Sequence, residues 1–131
     1  MRLRSLRVFK IQKEQVAVLK GQALEGFLKQ AVLHLRRDLT DLTATYSDNE
    51  LRQRIKTRME RARAYGLSNK REIMCFVDVS FLLGERFDSD PAHAWVPLLL
   101  HSPKLSSGDR ANLLLATACS VYRDSIKSGS A

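Results

Sequence analysis

The sequence predicts an all-α fold, a compact single-domain bundle of about five helices around a central apolar helix at about residues 70–83. Two observations lead to this prediction. Apolar residues recur at steps of three and four along most of the chain, which is the spacing of amphipathic helices. Helix start and stop signals, including two candidate capping boxes, separate these segments from one another.

Length and composition agree with one ordinary globular domain. The chain has 131 residues, of which 44% are hydrophobic and 27% are charged. Its longest apolar stretch is far shorter than the roughly 20 residues that a bilayer span requires, and the first ten residues lack the apolar core of a secretory signal. We expect a cytoplasmic protein with a basic N-terminal extension, a helical domain and a frayed tail, at residues 1–10, 11–127 and 128–131.

The first half of the chain contains two predicted helices. An amphipathic stripe that includes Phe27 and Leu35 predicts a long helix over residues 11–37, followed by a connection over residues 38–46. Ser47 and Glu50 have the spacing of a capping box and therefore mark the start of the second helix. Gly66 can end that helix because glycine readily adopts a left-handed conformation.

The second half begins with the predicted central helix. Asn69 and Glu72 repeat the capping-box spacing, and the apolar residues that follow leave little polar face before Gly84 ends the helix. Asp90 and Pro91 then predict the start of a short helix, since Asp can cap a helix whose first residue is Pro. A last helix follows residues 106–109.

Several arginines lie on one face of the second predicted helix. Arg54, Arg58 and Arg61 form a stripe at helical spacing, and Arg52 adds to the basic outer face. An ordinary solvated surface is one interpretation, and an electrostatic docking face is the other. Nucleic-acid binders usually add exposed aromatic residues or groove-directed glycines, which do not accompany these arginines.

Asp78 lies within the most apolar predicted helix, where an unpaired carboxylate is costly. We expect a structural ion pair between Asp78 and an arginine of the second helix. The catalytic alternative requires a second acid, a His or a nucleophile close to Asp78, and sequence alone cannot place one.

Residues 61–77 also resemble a DNA-reading helix-turn-helix. The second helix of that pair continues as IMCFVDVSFLL, which is too apolar to lie in an aqueous groove. A plain helical hairpin is therefore the favoured interpretation.

The sequence shows no recognisable metal site, cofactor motif or catalytic constellation. His34, His93 and His101 are widely separated, and the local sequence offers none of them a clear Cys or carboxylate partner for zinc. Cys75 and Cys119 lie in apolar helical patterns, where we expect reduced thiols. We therefore expect a protein without enzymatic activity, metal or cofactor.

Positive charge is concentrated in the first half of the chain. Residues 1–71 contain 17 Lys and Arg against 7 Asp and Glu, whereas residues 72–131 contain 5 against 7. This asymmetry suits nucleic acid, an acidic membrane or an acidic protein partner, and it does not choose among them.

Four segments and one tryptophan resemble a family of small helical accessory proteins encoded in bacterial type VI secretion gene clusters, near spike, PAAR-tip and effector-adaptor genes. They are HLRRDL at 34–39, SDNELRQRI at 47–55, RARAYGL at 61–67, FVDVSFLLGERFDSDP at 76–91, and Trp95. The resemblance covers about residues 11–120. The chain departs from it at Leu39-Thr40, where Phe-Pro is expected, and at Ala94, where Pro often precedes the Trp.

This resemblance implies a non-enzymatic adaptor or co-chaperone that helps load or stabilise an effector or its spike complex. The expected partner is a protein: the effector, its chaperone or adaptor, or a spike-tip protein. An immunity protein that neutralises a cognate toxin is the alternative, followed by a nucleic-acid-binding regulator. The residues expected to contact the partner are Arg52, Arg54, Arg58, Arg61, Asp88 and Trp95. Those expected to be structural are Gly66, Asp78, Gly84, Asp90 and Pro91.

Overall fold

The computed structural model describes residues 21–129, with side chains as far as residue 127. Within that range the chain forms six α-helices and one 3-10 turn, and no strand. The predicted all-α bundle is therefore confirmed. The helices are α1 (Gly21–Asp38), α2 (Thr40–Thr43), α3 (Asp48–Ala64), α4 (Lys70–Leu83), α5 (Trp95–Leu100) and α6 (Ser107–Gly129), and the 3-10 turn is Pro91–His93.

Some of the predicted boundaries lie outside the described residues. These are the basic extension at residues 1–10, the first part of the helix predicted from residue 11, and the last two residues of the predicted frayed tail. Gly21 has a φ of +55°, so regular α-helical geometry begins after it. None of the helices in the described range is long and apolar enough to cross a membrane.

Helix α4 lies at the centre of the bundle. It packs most extensively against α6 and then against α3, and its residues 72–80 are buried except for Met74, which is half-buried. This burial confirms the predicted central apolar helix. It also contradicts the helix-turn-helix alternative, because a recognition helix must present its side chains to the DNA groove.

Two capping boxes start the central helices as predicted. Glu50 N–H donates to Ser47 Oγ at 3.1 Å while Ser47 N–H donates to the Glu50 carboxylate at 2.8 Å, and Asn69 and Glu72 form the equivalent pair. Gly66 ends α3 with a φ of +88°. The Gly66 and Leu67 amides then satisfy the open carbonyls of α3, which is a Schellman motif.

The predicted start signal at Asp90 and Pro91 is also present. The Asp90 carboxylate accepts a hydrogen bond from the Ala92 amide at 2.9 Å, and Pro91 is the first residue of the 3-10 turn that leads into α5. Gly84 ends α4 with a φ of +117°, a conformation that strains other residues.

The connection predicted over residues 38–46 contains the short helix α2, which the sequence pattern did not indicate. Arg36 holds this segment by donating to the carbonyls of Thr43 and Tyr46, at 2.6 Å and 2.7 Å, and to the Asp48 carboxylate at 2.8 Å. A guanidinium has enough donors in one plane to make all three bonds.

Candidate functional site

The arginine stripe of α3 faces the acidic turn at residues 85–88. Arg54 donates to the Glu85 carboxylate at 3.2 Å, and Arg61 donates to the Asp88 carboxylate. We call this set the arginine junction: Arg54, Arg58 and Arg61 with Glu85 and Asp88. It brings Asp88 into contact with the arginine stripe, and both were expected from the sequence to contact a partner.

Arg58 is the buried member of the junction, with only 3% of its surface exposed. Its Nε donates to Ser80 Oγ at 2.7 Å, and one Nη donates to the Arg54 carbonyl at 3.1 Å. The other Nη lies 3.6 Å from the Glu85 carboxylate. Burial lowers the pKa of Arg58, although Glu85 acts in the opposite direction. The prediction that Arg58 belongs to an exposed docking face is therefore wrong.

Asp88 is held by two donors. Besides Arg61, the Tyr65 hydroxyl donates to Asp88 Oδ2 at 2.8 Å. Burial, together with the hydrogen bond to Asp88, raises the pKa of Tyr65 to about 12. Between the two acids, Phe87 is fully buried with its ring centroid 4.8 Å from that of Phe76. The acidic turn at residues 85–88 is thus anchored to the core.

The other predicted partner residues also have contacts inside the domain. Arg52 pairs with Glu25 of α1, and Trp95 is half-buried against the core. For Arg54, Arg61 and Asp88, a partner would have to replace charge pairs that already exist. Their role in partner binding stays a prediction.

A second charged cluster connects α1 to α4. His34 Nε2 lies 3.0 Å from both carboxylate oxygens of Asp78, and His34 Nδ1 lies 3.2 Å from Asp38 Oδ2. Burial raises the pKa of Asp78, and His34 opposes that shift. The prediction that an arginine pairs with Asp78 is therefore wrong. The assumption that His34 lacks a local carboxylate is also wrong, because Asp38 is one helical turn away.

The geometry of His34 disfavours acid–base catalysis even though a His faces Asp78. A general base that is oriented by a carboxylate must keep its second ring nitrogen free for the reacting group. Both nitrogens of His34 instead face carboxylates. Nε2 of His34 bonds Asp78 of α4 while Nδ1 faces Asp38 of its own helix, so His34 acts as a clamp that joins α1 to α4.

Neither metal ligation nor a cysteine nucleophile is suggested by the described side chains. No group of three or more His, Cys, Asp or Glu in the described part of the chain could hold a metal ion. Cys75 and Cys119 are free thiols, and burial raises the pKa of Cys75, which keeps its thiolate scarce.

A cleft of about 280 Å³ lies between α1 and the first turns of α4. We call it the basic cleft. Its apolar lining residues are Phe27, Ala31 and Met74, and its polar ones are Gln30, His34, Lys70 and Arg71. No Asp or Glu is among the described residues that line it.

The two cations of the basic cleft are not neutralised by the described carboxylates. Arg71 donates to the neutral side-chain amide of Asn112, and Lys70 makes no hydrogen bond or ion pair with any described residue. This cleft was not predicted from the sequence. A signal was present, because cations in the first turn of a helix oppose the helix dipole and are unfavourable there.

Compared with known proteins, the chain matches no protein-family model, no curated protein and no solved structure.

Proposed function

We propose that this protein is a non-enzymatic, protein-binding accessory factor, an adaptor or co-chaperone that helps load or stabilise a type VI secretion effector or its spike complex. The resemblance at residues 34–39, 47–55, 61–67 and 76–91 supports the connection to type VI secretion. The structure supports binding in preference to catalysis because both ring nitrogens of His34 face carboxylates, whereas the two cations of the basic cleft have no described carboxylate partner.

The observation that carries the proposal is the basic cleft. It combines an apolar lining, of which Met74 is partly exposed, with two cations that have no described carboxylate partner, and this combination favours an acidic partner. His34 lies at the edge of the same cleft and has the opposite character, because both of its ring nitrogens already face carboxylates. Within the described residues, the cleft is therefore the better candidate for an external ligand.

The direct test is affinity purification of the tagged full chain from the bacterium that encodes it, followed by mass spectrometry. We expect enrichment of an effector, adaptor or spike-tip protein encoded in the same gene cluster, and lower effector secretion when the gene is deleted. A tag-only purification is the control. Enrichment of no cluster-encoded protein, together with unchanged secretion, would contradict the proposal.

Two further assays distinguish the alternative classes. Protection of cells that express this chain alone against the neighbouring effector would indicate an immunity protein. A mobility shift with DNA or RNA that weakens steeply with salt would indicate a nucleic-acid-binding regulator, because such binding releases counterions.

A further inference from the structure

From the basic cleft we infer that this domain binds a short acidic peptide segment, with one apolar side chain against the half-buried Met74 and carboxylates beside Lys70 and Arg71. This inference rests on the proposed function and deepens it, since it states the chemistry of the partner at one site. The ligand would be an extended or terminal segment of a protein.

Size is the first argument. At about 280 Å³, the cleft lies at or below the lower end of the roughly 300–1,000 Å³ range of pockets that enclose drug-sized molecules. Such a volume accommodates one large apolar side chain and the groups next to it. A short peptide matches this because the rest of its backbone can remain on the surface.

Charge is the second argument. Lys70 and Arg71 are adjacent, and neither is paired with a described carboxylate. The described residues that line the cleft include no acid, and the two nearby carboxylates, Asp38 and Asp78, face the ring nitrogens of His34. Acidic groups placed beside both cations would gain attraction without displacing an existing ion pair, which is not the case at the arginine junction.

The chemistry of the lining favours a peptide over nucleic acid. Phe27 is only 4% exposed, so its ring offers no platform on which a base could stack. Residues 1–20 of the same chain are also an unsuitable occupant on charge grounds, because they contain six Lys and Arg and a single Glu.

The test uses the ¹⁵N-labelled full chain and two defined probes. The first is the N-acetylated tripeptide Leu-Glu-Glu with a free carboxyl terminus, and the second is the neutral control Leu-Gln-Gln with an amidated terminus. We expect saturable chemical-shift changes at the amides of Phe27, Ala31, Lys70, Arg71 and Met74 with the acidic probe. The neutral probe should bind at least about tenfold more weakly, since about 1.4 kcal/mol of electrostatic attraction is removed.

Matched double variants locate the binding site. Lys70→Glu/Arg71→Glu should weaken the acidic probe by at least about tenfold. Lys56→Glu/Arg123→Glu makes the same change in net charge outside the cleft and should alter affinity by less than about twofold. Folding should survive in the first variant, because acidic residues are favourable in the first turn of a helix.

Three results would overturn the inference: chemical-shift changes spread over other surfaces, equal weakening of peptide binding in both double variants, or a twelve-nucleotide thymidine probe that occupies the cleft in preference to the peptide.

Failure of the proposed function can be distinguished from failure of the peptide site. If no secretion-cluster protein co-purifies but the acidic peptide still binds at the cleft, the proposed function fails and the site stands. If a cluster protein co-purifies equally well with the Lys70→Glu/Arg71→Glu variant, the function stands and the site fails.

Discussion

The arginine junction and the basic cleft are both rich in positive charge, and they differ in what neutralises it. In the junction, Arg54 and Arg61 each contact a carboxylate, and Arg58 is buried among polar partners. In the cleft, Lys70 and Arg71 have no described carboxylate partner and lie beside the half-buried Met74. The first arrangement holds the acidic turn against α3, and the second leaves its charge available to a ligand.

This difference shows why a basic stripe in a sequence is a weak guide to docking. The arginines of α3 and Asp88 were each expected to contact a partner because each was considered alone. Folding brings them together, so their attraction is used within the domain. Uncompensated charge next to apolar surface is the better indicator of a binding site.

Within the arginine junction, we expect replacement of Arg58 to have the largest effect on the free energy of unfolding. Arg58→Ala should lower the free energy of unfolding by about 2–4 kcal/mol, because it leaves buried polar partners unsatisfied and removes packing. Urea denaturation would measure the change. Arg63→Ala on the exposed side of the same helix is the control and should stay within about 0.5 kcal/mol. An equally small effect at Arg58 would show that the junction is not structural.

The clamp at the edge of the basic cleft should be the next most sensitive element. His34→Leu should cost about 1–3 kcal/mol at neutral pH, because the buried carboxylate of Asp78 loses its partner. The folded-state pKa of Asp78 is raised, so the contribution of this group to stability falls as pH rises through that pKa. Because His34 opposes the rise in the pKa of Asp78, the variant protonates Asp78 more readily. The loss of stability caused by His34→Leu should therefore shrink as pH is lowered toward 4.

A double-mutant cycle between His34→Leu and Asp78→Asn isolates this interaction. Asp38→Asn is the matched comparison, because Asp38 contacts the other ring nitrogen but is exposed. We expect the coupling free energy between His34 and Asp78 to exceed that between His34 and Asp38. Equal values would show that burial of Asp78 does not strengthen the interaction.

Tyr65 gives a smaller effect that is visible only at alkaline pH. Because its folded-state pKa is raised from 10.0 to about 12, the stabilising contribution of Tyr65 is fully present below about pH 10 and is lost as pH rises through about 12. The stability difference between the wild type and Tyr65→Phe should narrow over that interval. Absorbance titration near 295 nm should lose a late tyrosinate step in the variant. A stability difference that stays constant up to pH 12 would contradict the raised pKa of Tyr65, to which burial contributes most and the hydrogen bond to Asp88 less.

The smallest change in stability is expected at the cleft. Lys70→Glu/Arg71→Glu should alter the free energy of unfolding by no more than about 0.5 kcal/mol, since these residues neutralise no described carboxylate and acids suit the first turn of a helix. Thermal denaturation followed by circular dichroism is sufficient to measure it. A loss comparable to that of Arg58→Ala would place the cleft cations among the structural residues.

Local chemistry explains which parts of the fold could be predicted. The capping residues Ser47 and Asn69, the helix end at Gly66, and the turn at Asp90 depend on neighbours within a few residues, and all four are present. The apolar character of residues 72–80 likewise predicted burial on most sides.

The missed features depend on contacts between distant segments. His34 and Asp78 are 44 positions apart, and Arg58 and Ser80 are 22 apart, so helix periodicity cannot pair them. The nearby pair His34 and Asp38 could have been predicted from the sequence, since residues four apart lie on one helix face. The basic cleft is formed by α1 and α4 together, which no single segment reveals.

The most direct test compares Arg54→Gln/Arg61→Gln with Lys70→Gln/Arg71→Gln, because each variant removes two positive charges. The free energy of unfolding and the affinity for the acidic tripeptide are measured for both. We predict that the junction variant loses at least about 1 kcal/mol of stability and keeps its peptide affinity, while the cleft variant keeps its stability and loses affinity. The opposite pattern, with peptide binding lost in the junction variant alone, would contradict this division of roles.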